Sequence, residues 1–325
     1  MPCSLERFVV LKGVQGFGDR LQCLLQAIWY AKQTGRYLVV DWRDPDWSHD
    51  TSLPLKHWFT LVDVPTMDLT SFLAYWEANC TQLSLTPASW TDRLADPSFS
   101  SWIYEEGFTI PENNAVIGQI VSGKAPDLEA DVVVLPGVGH RSFRYNDLSH
   151  LKLADWLQER ISGFAADIGL VAGLYDVVHL RGGSKRWAGG NVPLKCLDAS
   201  IHKRWPTQDS YLEDVWRQYQ KSLVRQRVMP LFVLSDRTEL GRDWINRFGT
   251  GTLVPNMAGS LIRESGTHKL RPEELGLLCK EDLNYEVLRD FALMLNARRV
   301  VGDGVSLFSA MATKCRACGV RLANF

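Results

Sequence analysis

Residues 7–42 read RFVVLKGVQGFGDRLQCLLQAIWYAKQTGRYLVVDW, and the order of their apolar and small residues decides the fold class. Phe8–Leu11 is a continuous apolar run of the length of a buried strand. Gly13, Gly16 and Gly18 follow, ahead of Asp19, whose carboxylate is a helix-capping group able to accept a backbone N–H bond. Leu21, Leu24, Leu25 and Ile28 then repeat at i, i+3, i+4 and i+7, the stripe of an amphipathic helix. Gly35 ends the helix, and Tyr37–Trp42 returns to a strand. Strand, loop, helix and strand in one short span are the seed of a parallel sheet.

Working outward, the pattern weakens from Arg43 to about Ala130, where tryptophans are frequent and irregular loops with short helices are predicted. Asp131–Leu135 reads as a buried strand and Leu151–Ile168 as a helix. The second half alternates cleanly. Tyr175–Leu180, Leu231–Leu234, Thr252–Val254 and Arg299–Val301 are strands. Tyr211–Gln226, Glu239–Phe248, Tyr285–Ala297 and a segment from about Ser306 are helices. Such repetition predicts an α/β protein with a second parallel sheet. The glycine-containing stretch near Leu170–Leu174 places the boundary between two Rossmann-like domains, 1–172 and 173–325, expected to face each other across a cleft.

Composition bounds the function. The chain has 325 residues, 46% apolar and 22% charged, which suits a globular protein with a real core. A net charge of -1 argues against a nucleic-acid binder. No apolar stretch approaches the roughly 20 residues that span a bilayer, and the first residues lack an apolar signal core. The seven cysteines are scattered and odd in number, which points to reduced thiols. A cytoplasmic protein is expected. Cys315 and Cys318 form a single C-x-x-C without the second pair of a zinc site, so no metal site is expected.

Ligands of doubly wound sheets bind at the carboxyl ends of the strands, so the loops there carry the chemistry. The first loop has the order G-x-x-G-x-G, not the G-x-G-x-x-G of dinucleotide binders, which speaks against a dehydrogenase. Asp19 would repel a phosphate at that helix start and suits a hydroxyl or sugar; an ordinary N-cap and turn is the alternative. In VVHLRGGSKRW, His179 and Arg181 alternate with Leu180 and share a strand face, and Gly182 and Gly183 give backbone room. An arginine placed there is a natural diphosphate clamp, with a structural ion pair as the alternative. Asp290 lies on the flank of the Leu288, Phe291 and Leu295 stripe, able to meet the edge of a purine such as guanine or to form a salt bridge. In Gly302-Asp303-Gly304-Val305-Ser306, the serine at a helix start can bind phosphate with its hydroxyl and nearby N–H groups, or act as a plain N-cap.

Taken together, GFGDRLQCLLQAIWYAKQTGRYLVVDW, VVHLRGGSKRW, FVLSD at 232–236 and YEVLRDFALMLNARRVVGDGVSLFSAMA resemble one group of fucosyltransferases. The group includes the bacterial nodulation-factor and animal core α-1,6-fucosyltransferases and the protein O-fucosyltransferases. The resemblance implies a GT-B fold and transfer of fucose from GDP-fucose to a glycan or glycoconjugate hydroxyl, with inversion and without a metal or other cofactor. By position it implies that Arg181 holds the diphosphate, His179 and Asp290 contact the guanosine, and Ser306 binds phosphate. Gly16, Gly18, Gly182, Asp236, Asp303, Gly304, Val305 and Leu307 complete the implied donor-binding set. Asp19 is the first candidate for the general base beside Arg181 in catalysis, and His140 the second. The sequence departs from the group at Gly182, where the core enzymes carry a second arginine. Lys185 and Arg186 precede Trp187 where the protein O-fucosyltransferases carry an acid, and Leu307 replaces a serine. Another nucleotide sugar, or a non-catalytic sugar-nucleotide binder, therefore stays open. Asp44-Pro45-Asp46 resembles the D-x-D of metal-dependent transferases but reads as a turn.

Overall fold

The computed structural model describes residues 6–121, 128–137, 145–182, 205–223, 228–261, 269–319, 321–323 and 325. The chain divides into two units, Met1–Asp155 and Trp156–Phe325.

The first unit opens with β1 (Phe8–Gly13), α1 (Phe17–Thr34) and β2 (Tyr37–Asp41), as the periodicity predicts. It continues through α2 (Leu55–Trp58), β3 (Phe59–Leu61), α3 (Leu69–Asn79), β4 (Leu85–Thr86), α4 (Phe99–Glu105), α5 (Pro111–Val121), β5 (Val132–Gly137) and β6 (Leu151–Leu153). Four strands form a parallel sheet in the order β2-β1-β5-β4, and β3 pairs antiparallel with β6. The tryptophan-rich stretch serves the core: Trp42, Trp47, Trp58, Trp76, Trp90 and Trp102 are all buried. The strand register sets Lys12 beside Asp41. Lys12 Nζ donates to Asp41 Oδ2 at 2.7 Å and to the Leu94 carbonyl at 2.5 Å, with both side chains fully buried. Burial lowers the Lys12 pKa against the pull of Asp41. For Asp41, burial favours the neutral acid, yet Lys12 and Arg43 together hold its pKa below the usual value.

Two details of this unit differ from the sequence expectation. Gly16, not Asp19, is the N-cap of α1, so Asp19 lies in the first helical turn. The left-handed residue of the loop is Gln15 (φ 68°) rather than a glycine. Gly13 is needed for a different reason: a Cβ there would lie 2.3 Å from Trp42 Cδ1. The expected helix 151–168 is split, because Leu151 and Leu153 point inward from β6 in period-two alternation while Lys152 is exposed.

The second unit contains α6 (Asp155–Asp167), β7 (Asp176–Leu180), α7 (Gln208–Leu223), β8 (Leu231–Ser235), α8 (Thr238–Phe248), β9 (Thr252–Leu253), α9 (Lys280–Asn296), β10 (Arg299–Val301) and α10 (Leu307–Ala317). Its parallel sheet runs β10-β7-β8-β9. The division falls at Asp155 rather than near Leu170–Leu174 because α6 packs on α9. Arg160 stacks 3.8 Å above the Tyr285 ring, and Arg289 lies 4.4 Å above Phe164. At the amino end of the sheet, Asp176 accepts paired N–H bonds from Arg298 and Arg299. Helix α9 begins at Lys280, ahead of the expected Tyr285, because Asp282 caps the Cys279 N–H. It is buried on all sides: Asn284, Glu286, Arg289 and Asp290 are as enclosed as Leu288 and Phe291. Among the described residues, no helix is long and apolar enough to cross a membrane.

Candidate functional site

In the second unit, β10, β7 and β8 are adjacent and parallel, so the residues following them gather at one edge of the sheet. These residues are Gly302–Ser306, Arg181–Gly182 and Asp236–Arg237.

Arg181 and Gly182 are tied to Asp236. Arg181 Nη1 lies 2.9 Å from Asp236 Oδ2, and the Gly182 N–H donates to Asp236 Oδ1 at 2.5 Å. The Arg181 N–H donates to the Tyr211 hydroxyl at 2.8 Å. Asp236 thus fixes both the backbone and the side chain of the β7 end, while the Arg181 side chain stays 20% exposed. A Cβ at position 182 would lie 2.4 Å from Arg237 Cδ, so any other residue there would force the Arg237 side chain to shift. His179 is buried, and its ring lies 5.3 Å from the Phe308 ring, centroid to centroid. Phe308 in turn packs on Phe291 of α9.

After β10, the Asp303 carboxylate folds the loop back. Its Oδ1 accepts N–H bonds from Val305 at 2.8 Å and Ser306 at 2.7 Å. Gly304 takes a left-handed conformation (φ 73°) that disfavours a side chain. Ser306 is the N-cap of α10, but its hydroxyl makes no capping bond. Nor does that hydroxyl bond to any other described residue. Asp303 occupies the Val305 and Ser306 N–H groups, so the backbone donors free of Asp303 at this helix start belong to its first turn, beginning with Leu307.

Asp290 belongs to a buried charge group on α9. Its Oδ1 accepts from Arg289 Nε at 2.9 Å and Nη2 at 2.7 Å. Its Oδ2 has no partner among the described residues. Arg289 also approaches Glu286 at 3.8 Å. Glu286 accepts N–H bonds from Met257 and Ala258 and so anchors the loop after β9. Burial raises the pKa of both carboxylates against the opposing pull of Arg289.

In the first unit, Gly16 and Gly18 frame the start of α1 and Asp19 is partly exposed in its first turn. Asp44 pairs with Arg20 at 2.6 Å, both fully buried, and its carbonyl accepts from Trp47 and Ser48. Asp44-Pro45-Asp46 is therefore a turn closed by an internal ion pair. Among the described residues, no group of three or more His, Cys, Asp or Glu side chains is placed to hold a metal ion. His140, Lys185, Arg186 and Trp187 lie outside the described residues.

The structure thus joins Arg181, Gly182 and Asp236 directly, and Asp303, Val305 and Ser306 directly. Sequence reasoning missed Tyr211, Arg237 and Arg289. The last of these had a signal, since it adjoins Asp290 beside the Leu288, Phe291 and Leu295 stripe, where a buried carboxylate calls for a cationic partner.

No protein-family model matches the chain, and no curated protein matches it by sequence. Solved structures do match its fold. NodZ α-1,6-fucosyltransferase co-crystallized with GDP gives a TM-score of 0.59 at 20% identity, covering 95% of this chain and 92% of that one. NodZ from Bradyrhizobium gives 0.58 at 19% identity, covering 94% and 92%. POFUT1 in its apo form gives 0.52 at 15% identity, covering 100% and 99%. At these identities the likeness is one of fold, and the chain has the GT-B fold found in the NodZ and POFUT1 fucosyltransferases.

Proposed function

We propose that the protein is an inverting, metal-independent fucosyltransferase that moves fucose from GDP-fucose to a hydroxyl of a glycan or glycoconjugate. The observation that carries this reading is the Arg181–Asp236 clamp beside the uncapped Ser306 hydroxyl, in a fold shared with proteins solved with GDP and GDP-fucose. Arg181 offers positive charge to a diphosphate whose negative charge grows as the glycosidic bond breaks, a stabilisation specific to the transition state. Asp236 holds that guanidinium in place before the donor arrives, so little reorganisation is needed at the moment of reaction. Ser306 and the Leu307 N–H add neutral donors to the phosphate oxygens.

Asp290 keeps one carboxylate oxygen for the N–H groups of guanine while Arg289 holds the other. His179 supports the nucleoside from the end of β7. Gly16 and Gly18 let the transferred sugar approach the start of α1, and Asp19 takes the proton of the acceptor hydroxyl. Work in the cytoplasm is part of the proposal and rests on the scattered, unpaired cysteine pattern.

The test is GDP-fucose consumption against a panel of glycan acceptors with EDTA present. Asp19→Asn should reduce turnover by at least about 100-fold, the usual contribution of a general base, and leave GDP affinity within about twofold. Undiminished turnover would remove Asp19 from the mechanism, and absence of GDP-fucose consumption would remove the transferase reading.

A further inference from the structure

The first unit contains a cavity of about 490 Å³, within the range of small-ligand sites, and every residue of its wall belongs to that unit. Its apolar surface comes from the partly buried Val40, Pro54, Leu61, Met67 and Leu69, while Leu38 and Phe59 in the same wall are almost fully buried. Of the charged side chains in the wall, Arg43 and Lys56 are cations and Asp68 is the single acid. Both Asp68 oxygens are already occupied, accepting from the N–H and hydroxyl of Ser71. The wall is therefore one charge positive.

Arg43 has donors to spare. Its Nε and Nη2 bond to Asp41 and the Ala95 carbonyl, whereas Nη1 bonds to no described residue, and the side chain is 20% exposed. The carboxylate it holds is shared with Lys12, so Asp41 does not neutralise both cations. The third feature is backbone. β2 is the end strand of its sheet. On its outer edge, the Leu38 N–H donates to the Pro65 carbonyl and the Leu38 carbonyl accepts from Met67. By strand alternation, the Val40 N–H and C=O point the same way. The flanking segment pairs only at Leu38, so at Val40 the ladder edge faces the cavity with one donor and one acceptor.

An unpartnered guanidinium donor, a peptide-like donor and acceptor pair, and an apolar floor match three groups of one ligand class. A carboxylate would meet Arg43 Nη1, an amide would continue the β2 ladder at Val40, and an apolar side chain would cover Val40, Met67 and Leu69. We propose that this cavity binds an N-acylated α-amino acid with an apolar side chain, either free or as the carboxyl-terminal residue of a peptide. The proposal does not depend on the transferase reading.

The experiment is calorimetric titration of the full chain with N-acetylphenylalanine, its neutral amide, and a pentapeptide ending in a free Phe carboxylate. The acid should bind with a dissociation constant on the order of 1 mM, as its size allows, and the amide at least about tenfold more weakly, as loss of a charge-assisted bond requires. A tighter pentapeptide identifies the peptide terminus as the source, and equal affinity identifies the free amino acid; both support the class. Arg43→Gln should abolish binding of the acid. Because Arg43 also braces Asp41, Lys56→Glu on the exposed rim is the second variant, expected to weaken the acid while the melting temperature stays unchanged. GDP affinity should be unaffected by Lys56→Glu. No binding of the acid to the wild-type protein at about 10 mM, tenfold its expected dissociation constant, would overturn the proposal, as would equal affinity for acid and amide.

Discussion

Replacement of Asp236 by Ala removes two interactions at once, and their sum can be worked from the geometry. The first is the ion pair to Arg181, with side chains 20% and 9% exposed. Exposed pairs contribute about 0–1 kcal/mol and breaking a buried pair costs about 3–5 kcal/mol. A pair at this intermediate exposure is screened in part, so its loss costs about 2 kcal/mol. The second is the acceptor for the buried Gly182 N–H, whose loss costs about 1 kcal/mol. Together they destabilise the second unit by about 3 kcal/mol, which lowers its melting temperature by roughly 6–12 °C for a unit of this size. Asp236→Asn keeps a neutral acceptor toward Gly182 and should lie about midway. The assay is thermal unfolding followed by tryptophan fluorescence, which Trp205 and Trp244 in the core of this unit report. An Asp236→Ala protein melting within about 2 °C of wild type, less than 1 kcal/mol on this scale, would refute the idea that Asp236 fixes the end of β7.

The remaining predictions separate binding from folding. Ser306→Ala removes a hydroxyl without a partner among the described residues, so stability should change by less than about 0.5 kcal/mol. GDP affinity in the same variant should fall about tenfold, the value of one hydrogen bond to a charged group, in a calorimetric titration. Asp68 caps α3, and its pKa is lowered by the hydrogen bonds from the Ser71 hydroxyl and N–H. Its contribution is therefore fully present above the unfolded aspartate value near 3.9 and is lost as pH falls through the lower folded value. Asp68→Ala should cost about 1 kcal/mol at neutral pH, and Asp68→Asn should keep most of the cap while flattening the acid limb of the stability profile. Denaturant titration across pH reads both.

Much of this architecture was legible in the chain because local pattern and tertiary environment agree. The β1–loop–α1–β2 unit combines a buried strand, a helical stripe and a second strand, and each appears where its period places it. Arg181 and Gly182 follow β7 where the strand pattern places them, and Arg181 forms an ion pair with Asp236, the structural alternative open to it in the sequence. The failures have physical causes. Leu151–Leu153 is too short for a period-two signal to compete with the helix that follows. Gln15 carries the left-handed turn that the neighbouring glycines seemed made for. The buried pairs Lys12–Asp41 and Arg20–Asp44 depend on strand register and loop path. Only the first has a trace in the sequence, as opposite charges at matching positions of consecutive parallel strands. The pairing of Asp236 with Arg181 required knowing that β7 and β8 are neighbours.

The most direct test of the central claim is calorimetric titration of GDP, UDP and NAD, with EDTA present, into the wild-type protein and Arg181→Ala. GDP should bind the wild type in preference to UDP and NAD. Arg181→Ala should lose about 100-fold in GDP affinity, the equivalent of two charge-assisted hydrogen bonds to the diphosphate, while keeping its fold. GDP affinity unchanged in Arg181→Ala, or preference for UDP or NAD in the wild type, would contradict the account.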